Sequence, residues 1–189
     1  MPRGLRILPP GSVVHAVNRG NDRRPLFETA REFEDFLSMV LWAKSRCPVR
    51  ICAYCIMSNH WHFVFWVECD GDVSRFLHRL TGTHAVSWRR RHGTLGEGHV
   101  YQDRFRGVKV FSEQYYLNVV RYVEQNPLRA HLVRAARDWR WSSLADRLGN
   151  GRGLLDRGPV DLPFGWSDLV DAPLPAAEIG EIRHSLRRY

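Results

Sequence analysis

Three features of the chain predict an α+β fold, an antiparallel sheet with two helices on one face. The first is the order of its periodic segments. From residue 12 onward they run strand, helix, strand, strand, helix, strand, helix, judged by where polarity alternates and where apolar residues recur at helical spacing. The second is a tight connection, Met57-Ser58-Asn59-His60, between two runs of aromatic and β-branched residues, which makes them a hairpin. The third is length: 189 residues suffice for one domain with a sizeable core and are marginal for two.

Ser12–Asn18 alternates, with Val13, His15 and Val17 on one face and Val14 and Ala16 on the other. Asn18-Arg19-Gly20-Asn21-Asp22 reads as a turn. Thr29, with Glu32 three residues on, caps a helix through Phe33, Phe36, Leu37, Val40 and Leu41, and Pro48 closes that region. The hairpin strands are Val49–Ile56 and Trp61–Val67. Asp72 is the expected cap of a second helix through Phe76, Leu80, His84 and Trp88, ending at Arg89-Arg90-Arg91. After a glycine-rich loop comes a strand over Arg104–Val110, then Ser112 capping a third helix from Glu113 that Asn126-Pro127 should stop. The first six elements give the ferredoxin-like βαββαβ pattern, and the third helix is free to lie over the other sheet face. Residues 1–148 are read as the functional domain. From Val133 onward the chain turns Trp-, Pro- and Gly-rich, and residues 149–189 are read as a C-terminal extension with a terminal helix expected at Ala177–Arg188.

The net charge is +8, carried almost wholly by arginine, since Lys44 and Lys109 are the only lysines. Base-composition bias explains arginine in place of lysine but not the excess of positive charge, which points to nucleic acid. No apolar run approaches the roughly 18–20 residues of a membrane span, and no basic-then-apolar leader opens the chain. A soluble, cytoplasmic protein with no membrane partner is expected. Cys52-x-x-Cys55 lies in a strand, where an i, i+3 pair should face opposite sides, and no second pair exists to complete a zinc site. Cys47, Cys52, Cys55 and Cys69 are read as buried or half-buried thiols.

His60 and His62 flank Trp61, so in a strand both imidazoles share one face. Tyr122 and Asn126 stand at i and i+4 on the third helix, also on one face. With that helix over the histidine face, the Asn126 amide oxygen completes a three-ligand metal site with Tyr122 one turn away. Each residue alone has a plainer explanation: a structural histidine pair, a core tyrosine, a helix stop. Their coincidence on elements that the fold brings together favours the site.

Here the chain resembles a known family. His60-Trp61-His62 is similar to the His-hydrophobe-His signature of single-strand DNA endonucleases and transposases. Tyr122-Val123-Glu124-Gln125-Asn126-Pro127-Leu128-Arg129-Ala130 resembles the Tyr-Ile-x-x-Asn-Pro-x-Arg-Ala segment of REP-associated tyrosine transposases. Matching pieces also occur at His15-Ala16-Val17-Asn18-Arg19-Gly20, Tyr54-Cys55-Ile56-Met57, Tyr101-Gln102-Asp103-Arg104-Phe105 and Trp139-Arg140-Trp141-Ser142-Ser143. Ser58 stands where that family commonly has proline. The resemblance implies His60, His62 and Asn126 as metal ligands and Tyr122 as nucleophile, forming a 5′-phosphotyrosine on single-stranded or hairpin DNA at palindromic repeats in bacterial intergenic DNA. Two imidazoles and an amide oxygen suit Mg²⁺ or Mn²⁺ better than zinc. A tyrosine supplied in cis makes a monomer sufficient, with a dimer left open.

For DNA contacts the candidates are Arg19, Arg23 and Arg24 after the first strand, Gln102, Arg104 and Arg106 around the last, and Arg129 within the Asn-Pro motif, with Tyr101 or Trp88 as stacking platforms. The rival reading from another class is a DNA-binding protein without cleavage, such as a domesticated repressor. Replication or plasmid-transfer nickases of the same chemistry come in larger multidomain chains.

Overall fold

The computed structural model describes residues 8–188. Its sheet has strands β1 (Val13–Arg19), β2 (Arg50–Met57), β3 (His60–Trp66) and β4 (Arg106–Val110) in the spatial order β2-β3-β1-β4, every pairing antiparallel. Helices α1 (Ala30–Arg46) and α2 (Asp72–Arg91) pack on one face, giving the ferredoxin-like arrangement. Helix α3 (Glu113–Glu124) lies on the other, followed directly by the short α4 (Asn126–Arg129).

Pleat alternation explains the two faces. Trp61, Phe63 and Phe65 of β3 are fully buried with Phe36, Phe76, Leu77 and Leu80 beneath α1 and α2. His60, His62 and Val64 point the other way, and cross-strand pairing places Arg19, Val17 and His15 opposite them on β1. Arg106, Val108 and Val110 join that face from β4.

The Thr29 cap forms as expected: its hydroxyl accepts from the Glu32 amide, and the Glu32 carboxylate accepts from the Thr29 and Glu28 amides. Thr29→Ala should lower stability by about 1 kcal/mol, read from the urea midpoint. Ser112 likewise caps α3 as expected, accepting from the Tyr115 amide, whereas the start of α2 differs from expectation. Gly71, at φ 83°, is the N-cap of α2, and Asp72 is its first helical residue and bonds Arg75. Helix α3 ends at Glu124, just before Asn126-Pro127 as expected, and the separate short α4 follows at once. Pro127 sits in the first turn of α4, where a missing amide hydrogen costs nothing, and the chain continues helically to Arg129.

β4 starts at Arg106, later than the expected Arg104, because residues 101–104 are held as a loop against β1: the Gln102 amide donates to the Arg19 carbonyl and the Asn18 amide to that of Asp103. The cysteine pair is also corrected. Between Ile51 and Ala53 the register of β2 slips by a residue, so Cys52 and Cys55 both face α3 and both are buried. The bulge leaves the Cys52 carbonyl outside the ladder, and Arg147 donates to it. Burial pushes the Cys52 thiol up to about 11 and the Cys55 thiol well above its usual range. Cys69 is exposed, contrary to expectation, because it lies in the β3–α2 connection.

The extension folds back over the α3 face. After α5 (Ser143–Arg147), which precedes it, the extension forms α6 (Trp166–Asp171) and α7 (Ala176–Arg188), with Trp166, Val170, Leu174 and Ile182 completing the second apolar cluster. No described helix is long and apolar enough to cross a membrane.

Candidate active site

Three elements, β3, α3 and α4, place the site residues. β3 leaves the hairpin with His60 half-buried and His62 buried, their ring centroids 5.1 Å apart. The last turn of α3 brings the Tyr122 ring to 6.0 Å from that of His62, and α4 adds Asn126 and Arg129. The Arg129 guanidinium lies 4.0 Å over the Tyr122 ring and donates to the Tyr122 backbone carbonyl. His60, His62, Tyr122 and Asn126 all line one cavity, as the sequence pattern predicts. Six arginines (19, 104, 106, 129, 183 and 187) share its wall with one acidic residue, Asp103.

Both histidines of the pair are held neutral. Burial, reinforced by the charges of Arg19 and Arg129, lowers His60 to about 4. Burial and then the neighbouring His60 and His15 lower His62 well below its ordinary value. The Asn59 side-chain oxygen lies 2.7 Å from His60 Nδ1, and the Asn59 amide nitrogen donates to the Arg23 carbonyl, which fixes which end is oxygen. An amide oxygen only accepts, so His60 carries its proton on Nδ1 and presents a bare Nε2.

The same buried neutrality recurs away from the cavity at His84, lowered to about 3 by burial with its Nδ1 2.7 Å from the Tyr101 hydroxyl. In the unfolded chain such a group titrates near 6.5, so as pH falls below that value the unfolded state takes up a proton that the native state refuses. Stability present at neutral pH is therefore lost on acidification. His84 alone should remove about 2 kcal/mol between pH 7 and pH 5. Urea midpoints at the two pH values check this, and a His84→Gln variant should flatten the profile.

The donor set fits a hard divalent cation. Asn126 is buried and its amide nitrogen has no partner; since the two ends of an amide are interchangeable in placement, this is a polar group with an end to offer a ligand. Among the described residues no three His, Cys, Asp or Glu side chains gather as a metal set. Two neutral imidazoles with an amide oxygen would leave the charge of a bound ion undiminished.

Of the proposed DNA contacts, Arg19, Gln102, Arg104, Arg106 and Arg129 line the cavity, and Arg23 and Arg24 do not. Arg24 bonds the Asn21 carbonyl and lies 5.9 Å over Trp88. The stacking platforms fail: Trp88 is buried against the His92 ring at 3.9 Å, and Tyr101 is buried with its hydroxyl between His84 and Trp61. Their aromatic faces are spent inside the protein.

Sequence reasoning missed two contributions. His15 is buried with Nε2 2.9 Å from His62 Nδ1. Its parity with Val13 and Val17 was legible, but not which strand would lie beside it. Arg183, Leu186 and Arg187 of α7 complete the cavity wall, with Arg106 donating to the Leu186 carbonyl. Spacing shows that Arg183 and Arg187 share a helical face, but nothing local says where that helix docks.

The family model for IS200-like transposases matches residues 11–126, more than half of the chain and all of the predicted ligand and nucleophile positions. Among solved structures, that of the REP-associated tyrosine transposase bound to a REP hairpin is similar at a TM-score of 0.62 and 21% identity, over 86% of this chain and 95% of that one. A crystal structure of a candidate transposase from Deinococcus radiodurans R1 aligns at a TM-score of 0.45 and 14% identity, over 66% of this chain and 96% of that one, a likeness too loose to build on. No curated protein matches significantly. With the family model spanning the sheet and α3, and the fold shared with a REP-associated transposase, this chain belongs to the IS200-like transposase family.

Proposed function

We propose that this transposase cleaves and rejoins single-stranded DNA at hairpins through a covalent 5′-phosphotyrosine, with a divalent cation, Mg²⁺ or Mn²⁺, held by His60, His62 and Asn126. The observation that carries the reading is the convergence of those three side chains and Tyr122 in one arginine-walled cavity. The REP hairpin bound by the structural relative supplies the substrate class.

The arginines gather the phosphate backbone and hold a scissile phosphate against Tyr122. Tyr122 Oη then forms a bond to phosphorus as the bond from phosphorus to the 3′-oxygen breaks. The phenolic proton leaves to solvent, and the departing 3′-oxygen takes one up. A bound cation would supply Lewis-acid polarisation of the phosphate. Because the phosphotyrosine keeps the ester bond, the 3′-hydroxyl of another strand can displace Tyr122 without ATP. Arg129, over the Tyr122 ring, orients the nucleophile and faces the charge that develops beside it.

The test is incubation of the protein with a labelled single-stranded hairpin oligonucleotide and Mn²⁺, followed by denaturing electrophoresis. A covalent adduct that is lost on chelation supports the proposal. Tight hairpin binding with no adduct across varied hairpins identifies the alternative, a non-catalytic DNA-binding protein that could act as a repressor.

A further inference from the structure

We propose that His15 is a positioning residue that holds His62 in the tautomer with its proton on Nδ1 and its lone pair on Nε2. The inference rests on the metal reading above and goes beyond it, because His15 is not one of the three ligands.

Position 15 departs from the apolar pattern of its own strand. Val13 and Val17 flank it on the same face, and Val64 and Val108 pair with it from β3 and β4. A β-branched residue would be the ordinary occupant of such a place. Instead a second imidazole is buried there, its Nε2 2.9 Å from His62 Nδ1 and its ring edge to edge with that of His62, the centroids 5.1 Å apart and the planes 27° from parallel. Local rules broken without gain in packing mark a functional position.

Two imidazole nitrogens at that separation share one proton, so there are two arrangements. If His15 donates, the proton of neutral His62 must sit on Nε2, and His62 has no lone pair left for a cation. If His62 donates, His15 accepts at Nε2 and His62 keeps Nε2 bare. Only the second arrangement makes His62 a ligand. It also matches its neighbour, since the Asn59 oxygen imposes the same Nδ1-protonated form on His60. Asn59 and His15 thus form a matched pair of acceptors behind the two histidines, one at the hairpin turn and one across the β1–β3 ladder.

Two measurements test this. Long-range proton–nitrogen correlation spectra of the protein with ¹⁵N-labelled histidine, recorded without metal, read the tautomer directly. The expected result is protonated Nδ1 and bare Nε2 on His62, and a proton on Nε2 overturns the proposal. Calorimetric titration with Mn²⁺ alone then compares wild type, His15→Leu and His15→Gln, each checked for folding by circular dichroism. Removal of the acceptor in His15→Leu should weaken Mn²⁺ binding about 10–100-fold, whereas His15→Gln, which can still accept, should stay within about threefold. Equal affinity of wild type and a folded His15→Leu also overturns it. If wild type takes up no Mn²⁺, the metal reading itself fails, while the spectrum still decides the tautomer.

Discussion

Tyr122→Phe is expected to bring covalent capture of a hairpin oligonucleotide below detection while leaving hairpin affinity within about threefold of wild type. The substitution removes one oxygen and little else. The ring keeps its place beneath the Arg129 guanidinium and edge-on to His15 and His62, at 6.2 and 6.0 Å, because those contacts are made by the ring and not by the hydroxyl. Substitute nucleophiles are lacking as well: no serine, threonine or cysteine lines the cavity among the described residues. The adduct assay, run beside a gel-shift titration of the same oligonucleotide, separates the two quantities. An adduct that persists at more than a few per cent of wild type would remove Tyr122 from the nucleophile's role. His60→Ala should behave differently in the same assays, since it alters the proposed cation site while leaving the tyrosine intact.

The second large effect is on stability and sits two residues from Tyr122. Glu124 is completely buried, and its carboxylate accepts from Ser143 Oγ at 2.5 Å, Arg147 Nε at 2.9 Å and Trp166 Nε1 at 2.6 Å. Arg147 in turn reaches the bulged carbonyl of Cys52, so one carboxylate ties α3, α5, α6 and β2 together. Glu124→Ala leaves a largely covered guanidinium and two buried donors without their acceptor. Breaking such a pair from one side costs about 3–5 kcal/mol. Against a total of about 5–15 kcal/mol that is a large share, and the thermal midpoint should fall by roughly 6–20 °C. Glu124→Gln keeps the shape and one acceptor and should lose less than half as much. A loss below about 1 kcal/mol in Glu124→Ala would mean that the carboxylate contributes little net stability.

Features set by short-range rules were legible in the sequence: the alternation of β1 and β3, the Thr29–Glu32 capping box, the Ser112 cap and the turn-apart spacing that brings Tyr122 and Asn126 to one cavity, although Asn126 opens α4 and does not lie on α3 itself. The site's composition followed from these once the third helix was laid over the histidine face. The features that escaped depend on contacts distant in the chain. The bulge in β2 is stabilised by Arg147, almost a hundred residues away, so parity alone put Cys52 and Cys55 on opposite faces. Trp88 and Tyr101 looked available for bases because composition cannot show that His92, His84 and Trp61 already occupy them. The docking of α7 on the cavity wall depends on a tertiary contact with β4 that has no local signature.

The strict alternation of β3 has a consequence for how such a protein can change over generations. Trp61, Phe63 and Phe65 answer to packing beneath α1 and α2, whereas His60 and His62, one residue away in each case, answer to the cavity. The peptide backbone is all that the two sets share. On the proposed function, substitutions at Val17, Arg19 or Arg106, which line the cavity from the neighbouring strands, would alter DNA preference without eroding the aromatic layer behind them. A sheet built this way lets specificity evolve on one surface while the fold is conserved on the other.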